Sequence, residues 1–278
     1  MNFLAPRTGN LTPSMTLAIE ARAKKLKADG VDVCGFGAGE PDFDTPQHIK
    51  NAAAAALAEG FTKYTPSSGL PELRAAIAEK LRVENGVEYK PEQIIVNCGA
   101  KHSCFNAILA TCGPGDEVII PSPCWLSYPE MVRLADATPV IVPTQESNGF
   151  KLTPDEFRNA MTPATKMVII NTPNNPTGAV YTREELQALA EVALEEDILM
   201  LSDEVYEKIT YDGTPHVSLA SLGPDVYRLT ITVNGFSKAY AMTGWRLGYV
   251  AAPGQIAAAI DSIQSHCTSN PTSFAQKG

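Results

Sequence analysis

Between residues 93 and 233 the chain repeats one pattern, a short apolar run followed by a helical stretch, with the runs at 93–96, 117–120, 139–142, 167–170, 198–201 and 229–233. Strands that are apolar throughout are covered on both faces, and strands separated by helices pair in parallel through crossovers. The pattern therefore predicts an α/β fold with a mostly parallel central sheet and helices on both faces. Two helix starts carry their own signal. Thr153-Pro154-Asp155-Glu156 and Thr182-Arg183-Glu184-Glu185 both have the Thr-to-Glu spacing of a capping box, and Pro154 sits at the favoured first helical position. The alanine run 52–56 belongs inside a helix. Residues up to about 46 read as an irregular arm around one helix, Thr16 to about Asp29, closed by Gly30. The last stretch, 271–278, reads as the beginning of a helix with no closing strand after it, so a truncated chain is expected.

Composition narrows the function classes. A length of 278 residues allows one large domain or two smaller ones, and 44% hydrophobic with 19% charged residues is ordinary for a globular protein. A net charge of -9 offers no basic stripe for a phosphate backbone, so nucleic acid is not an expected partner. The six cysteines form no C-x-x-C pair and read as buried thiols of a reducing cytosol. No signal-peptide core and no bilayer-length apolar run is present, so the expectation is a cytoplasmic protein with no membrane partner. His48, His102, His216 and His266 have no metal-ligand spacing, and no metal is expected.

Open α/β sheets bind ligands at the carboxyl ends of their strands. Here those ends are followed by Asn97-Cys98-Gly99-Ala100-Lys101, by 171–178 with Asn174-Asn175-Pro176-Thr177-Gly178, by Ser202-Asp203-Glu204-Val205-Tyr206, and by Asn234 to Ser237-Lys238 with Arg246 beyond. The set supplies an amine, a carboxylate, a phenol, an amide and phosphate ligands, which is what pyridoxal phosphate chemistry requires. The cofactor withdraws electrons only while its ring nitrogen stays protonated, a task for a buried carboxylate such as Asp203. A lysine such as Lys238 can form an imine with the cofactor aldehyde and then act as a base. Gly99 and Ala100 at a helix N-terminus, with Ser237 and Arg246, suit the phosphate.

Over essentially its whole length the chain resembles the class I aminotransferases of pyridoxal phosphate fold type I, closest to the bacterial aspartate aminotransferase branch. The motifs are Gly39-Glu40-Pro41-Asp42-Phe43, Tyr64-Thr65-Pro66 with 69–74, Asn174 to Gly178, Asp203 to Tyr206, and Ser237-Lys238 with Gly244-Trp245-Arg246, all in family order. The resemblance implies Lys238 as Schiff-base lysine and proton shuttle, Asp203 as partner of the pyridine nitrogen, and Tyr206 and Asn175 as donors to the phenolic oxygen. Trp125 would stack on the ring. Gly99, Ala100, Ser237 and Arg246 would hold the phosphate, with Lys101 beside them and Tyr64 reaching in from a second subunit. Gly39, Asn175 and Trp125 would contact substrate, while Lys101, Ser14 and Thr16 would read the distal carboxylate of a dicarboxylic substrate.

The implied organisation is an arm and small-domain segment over 1–45 and a large cofactor-binding domain over 46–278. The family's C-terminal small domain, with its substrate-carboxylate arginine, would lie beyond residue 278. The implied reaction is a ping-pong transfer between aspartate and 2-oxoglutarate in a homodimer with a shared active site. Two readings stand beside it: a lyase or synthase on the same fold, and a cofactor-binding remnant without turnover. Each residue also has a plain structural alternative: Asp203 as a helix cap, Lys238 and Lys101 as surface charges, Trp125 as core, Tyr64 as a local packing residue, and 174–178 as a turn.

Overall fold

The computed structural model describes residues 3–9, 11–13, 15–35, 37 and 39–278. Its sheet comprises β1 (Ile94–Asn97), β2 (Glu117–Ser122), β3 (Thr138–Pro143), β4 (Thr165–Asn171), β5 (Leu199–Asp203), β6 (Thr230–Gly235) and β7 (Gly248–Ala251). The strands stand in the order β1-β7-β6-β5-β4-β2-β3. All neighbours are parallel except β7, which runs antiparallel to both β1 and β6. The six runs read from the sequence become β1 to β6 within one or two residues. The seventh strand was not foreseen: Gly-Tyr-Val-Ala is short, and it pairs only because Arg246 turns the chain back between two neighbours.

The helices are α1 (Pro6–Gly9), α2 (Met15–Ala28), α3 (Gln47–Ala58), α4 (Pro71–Glu84), α5 (Ala100–Thr111), α6 (Ser127–Leu134), α7 (Pro154–Ala160), α8 (Arg183–Glu195), α9 (Pro224–Leu229) and α10 (Gly254–Cys267). Both predicted capping boxes form: Thr153 accepts from the Glu156 amide and Thr182 from the Glu185 amide, with each glutamate side chain returning to the cap backbone. Gly30 follows α2 at φ +84°, the left-handed position that closes a helix. The alanine run lies within α3.

Alternate residues of each strand serve opposite faces. Met167 and Ile169 join Ile95, Leu201, Ile231 and Val250 under α5, α6 and α10. Val168 and Ile170 join Met200 and Ile119 under α7 and α8, whose Phe157, Leu186 and Leu189 are fully covered. A third cluster sets Ile94, Val96 and Tyr249 against Ile49, Ile77 and Leu81 of α3 and α4. Buried Gln264 of α10 ties the layers together, accepting from Asn97 Nδ2 at 2.7 Å and donating to the carbonyls of Val96 and Ser67. The terminal stretch is anchored as well: Gln276 accepts from the Leu70 amide at 2.8 Å and donates to Thr65.

One expectation is corrected. All six cysteines are free, but Cys34 and Cys267 are exposed rather than buried, and Cys98 and Cys124 are half-buried. Cys34 stands in the irregular stretch after α2, and Cys267 ends α10 beyond the part that packs on the sheet, so neither is reached by the core. Among the described residues no helix is long and apolar enough to cross a membrane.

Candidate active site

The parallel strands end along one edge of the sheet, and the antiparallel β7 begins there. Register puts Asn171 beside Asp203, and Gly248 between Asn97 and Gly235. Polar residues expelled from the apolar runs therefore converge on a single cleft.

Asp203 closes β5 and is 3% exposed. Its Oδ2 accepts a hydrogen bond from Tyr128 Oη at 2.7 Å and a longer one from Cys104 Sγ at 3.6 Å, and its Oδ1 accepts from the Val205 amide at 3.2 Å. Burial pushes its carboxyl pKa up, against the pull of these donors, while Glu204 adds to the rise. Next to it, Asn171 Nδ2 donates to the Asp203 carbonyl and Asn171 Oδ1 accepts from the Asn175 amide. That relay places Asn175 Nδ2 3.3 Å from Tyr206 Oη, to which it donates. Burial and the Asp203 charge raise the Tyr206 phenol, and Asn175 opposes them.

Lys238 follows β6. Its Nζ lies 5.6 Å from the centre of the Tyr206 ring and donates to the Gly39 carbonyl. Burial lowers the pKa of the amine, Glu40 raises it, and Arg246 lowers it further. Ser237 is buried beside it.

Gly99 joins β1 to α5 at φ +89°, and a Cβ there would overlap the Arg246 guanidinium. Arg246 is itself held at φ +56°, a conformation costly for any residue but glycine, with Nη1 donating to the Thr243 carbonyl at 2.8 Å. Below the turn, a Cβ on Gly248 would collide with the backbone of Gly99 and Ala100. The amides of Ala100 and Lys101 open α5, where no intrahelical carbonyl can reach them. A bare helix N-terminus, an arginine and backbone packed close enough to exclude side chains make a cradle for an anion such as a phosphate.

Lys101 Nζ lies over the Trp125 ring at 4.9 Å, and Trp125 meets Tyr128 edge-on at 5.3 Å. Burial, then the Arg246 charge, lowers the Lys101 pKa. Contacts thus run around the cleft from Lys101 through Trp125, Tyr128, Asp203, Asn171, Asn175 and Tyr206 to Lys238. A cavity of about 460 Å³ lined by Cys98, Lys101, His102, Glu130 and Arg246 adjoins this ring.

The residues expected from the sequence divide accordingly. Lys238, Asp203, Tyr206, Asn175, Gly39, Trp125, Lys101, Gly99, Ala100, Ser237 and Arg246 gather at this edge. Tyr64 is 90% exposed and joins none of them within the chain. Thr16 is exposed on α2, and Ser14 lies outside the described residues. Tyr128, Cys104, Asn171 and Gly248 were not foreseen. Asn171 opens the segment 171–178 and Gly248 stands two residues after Arg246, so both could have been flagged, whereas no local signal marks Tyr128 or Cys104.

A second polar group was also unforeseen. Glu204, Glu207 and His216 bring their ligand atoms within 4.8 Å of one another. Internal partners already occupy them: Glu204 accepts from Ser202, Ser218 and the Leu219 amide, and Glu207 pairs with Lys80 and accepts from Asn85. The group reads as structural support beneath 203–207.

The sequence model of the family described as aminotransferase class I and II matches residues 31–277. An aspartate aminotransferase of Geobacillus stearothermophilus is 55% identical over 273 residues, covering 98% of this chain and 70% of the relative. An aspartate/prephenate aminotransferase of Cereibacter sphaeroides is 50% identical over 277 residues, covering 99% of this chain and 69% of the relative. Among solved structures, a Thermus thermophilus aspartate aminotransferase with maleate superposes with a TM-score of 0.96 at 49% identity, covering 100% of this chain and 72% of that one.

Proposed function

This chain belongs to the class I and II aminotransferases, a pyridoxal phosphate-dependent family, and from that membership we propose that its cleft moves the amino group of L-aspartate to 2-oxoglutarate in a ping-pong cycle. The observation that carries the residue assignments is the unbroken run of contacts from Lys101 to Lys238. An amine, Lys238, and a buried carboxylate, Asp203, stand at neighbouring strand ends, with an anion cradle of α5 amides and the Arg246 guanidinium beside them.

The residues fit the cofactor. Gly99, Ala100, Ser237 and Arg246 would take its phosphate, Asp203 its ring nitrogen, Tyr206 and Asn175 its phenolic oxygen, and Trp125 one ring face. When bound, pyridoxal phosphate supplies the electron sink that makes the Cα proton of an amino acid removable. Lys238 would hold the cofactor covalently through Nζ until substrate displaces it, and would then carry the proton from Cα. Its lowered pKa suits that work, because only the neutral amine can attack a carbonyl or accept a proton. Asp203 would keep a proton on the ring nitrogen, and Asn175 and Tyr206 would hold the phenolic oxygen in place. Lys101, facing the cavity beside Arg246, suits the distal carboxylate of a dicarboxylic substrate. Maleate, in the Thermus structure, is such a dicarboxylate. Thr16 and Ser14 belong to the same proposed role.

Three further readings go with this one. Residues 1–45 form an arm and small-domain segment ahead of a large domain over 46–278. Tyr64, 90% exposed, serves the cleft of a second copy in a homodimer. Six free thiols suit a cytoplasmic location.

The test is transfer itself. Incubated with pyridoxal phosphate, 15N-aspartate and 2-oxoglutarate, the protein is expected to yield 15N-glutamate. Release of free ammonia with no labelled glutamate would favour a lyase and defeat the proposal. Prephenate offered as the acceptor in a parallel reaction tests the broader specificity that the Cereibacter relative's name carries.

A further inference from the structure

Asp203 is served by donors that the cofactor reading leaves unused. Tyr128 is 2% exposed, and its Oη donates to Oδ2 at 2.7 Å with no other partner among the described residues. Its ring is fixed edge-on against Trp125, so the phenol cannot swing to another acceptor without repacking the cleft wall. Cys104, fully buried on α5, adds a second donor to the same oxygen. We propose that Tyr128, seconded by Cys104, is a positioning residue that keeps Asp203 ionised and turned toward the cofactor's ring nitrogen.

The chemistry needs such a device. A carboxylate shut away from water tends to take up a proton, and here it would take it from the ring nitrogen it is meant to serve. The groups that face Asp203 are few. Tyr128 comes from α6, Cys104 from α5, and Tyr206 and Glu204 from its own segment. The Glu204 carboxylate is turned to Ser202, Ser218 and the Leu219 amide. Tyr206 is engaged by Asn175. Tyr128 is therefore the one strong side-chain donor available to the carboxylate among the described residues. Burial, and then the charge of Asp203, pushes the phenol pKa well up, which keeps Tyr128 a donor throughout the working range. A hydrogen bond to a charged acceptor is among the stronger ones a protein makes, so its loss shifts the proton balance by about tenfold or more.

The inference rests on Asp203 facing the ring nitrogen, and the experiment separates the two. The protein is loaded with pyridoxal phosphate labelled with 15N in the ring, and the nitrogen resonance is recorded at neutral pH. The unsubstituted protein is expected to show the protonated ring nitrogen, and Tyr128→Phe to move the resonance toward the unprotonated position by about a tenfold change in proton partition. Phe keeps the packing against Trp125, so a purely structural tyrosine would leave the resonance in place, and that result overturns the proposal while the cofactor reading survives. An unprotonated nitrogen in the unsubstituted protein sinks the role of Asp203 and the inference with it. If Tyr128→Phe does not fold, Cys104→Val, which strips the other donor from the same oxygen, decides: a smaller displacement in the same direction supports the proposal, and none refutes it.

Discussion

Gly248 and Ala100 lie so close that a Cβ on the glycine would overlap the Ala100 backbone nitrogen. The first residue of β7 is thus the floor of the turn proposed to hold the cofactor phosphate, and its missing side chain lets the turn sit low enough for α5 to present its amides. Gly248→Ala is expected to lift that turn, costing about 1–3 kcal/mol in stability and at least tenfold in pyridoxal phosphate affinity. Thermal unfolding and a fluorescence titration measure the two. Gly254→Ala, at the start of α10, is the control, since nothing lies within 4 Å of a Cβ there.

The Lys238 amine gives a pH prediction. Burial depresses its pKa, the Glu40 carboxylate partly restores it, and Arg246 depresses it again. A lowered pKa makes the neutral, nucleophilic amine available at lower pH, so covalent capture of pyridoxal phosphate should rise through a midpoint below that of an ordinary lysine. Glu40→Gln removes the charge that favours the ammonium and should move the midpoint lower still. A midpoint that rises in the variant contradicts this electrostatic account.

Asp203 should cost stability when the cofactor is absent. Its carboxyl pKa is raised by burial. A group whose folded pKa lies above its unfolded one stabilises the fold at low pH and loses that contribution as pH climbs through the folded value. Asp203→Asn is therefore expected to raise the stability of the cofactor-free protein at neutral pH by about 1 kcal/mol, the advantage fading on acidification. Denaturant melts at several pH values measure it, and cofactor binding should weaken in the same variant.

Glu207 works in the opposite sense. Burial alone would raise its pKa, yet the Lys80 charge and the Asn85 and Lys80 hydrogen bonds hold it below the usual carboxylate range. The stability it contributes is present above the unfolded pKa and is lost as pH falls through the folded one. Lys80→Met leaves a carboxylate with 4% side-chain exposure without its cation and should destabilise the fold by about 3–5 kcal/mol. Because Tyr206 is the preceding residue, the same variant should also loosen the phenol.

Much of this site is legible in the sequence because its residues follow apolar runs directly: Asp203 ends β5, and Lys238 comes three residues after β6 ends. Register then does the assembly that spacing alone cannot show. Tyr128 and Asp203 are 75 residues apart in the chain, and nothing near either one announces the other. β7 stayed hidden because a short antiparallel strand between parallel neighbours looks like the tail of a motif. The exposure of Cys34 and Cys267 escaped a reading by residue type, because burial there is decided by where the stretch after α2 and the end of α10 leave the core.

The account turns on one covalent bond. The protein is to be incubated with pyridoxal phosphate, reduced with borohydride, digested and mapped by mass. The cofactor's added mass is expected on the peptide carrying Lys238 and to vanish in Lys238→Ala; label on another lysine, or none at all, would contradict it.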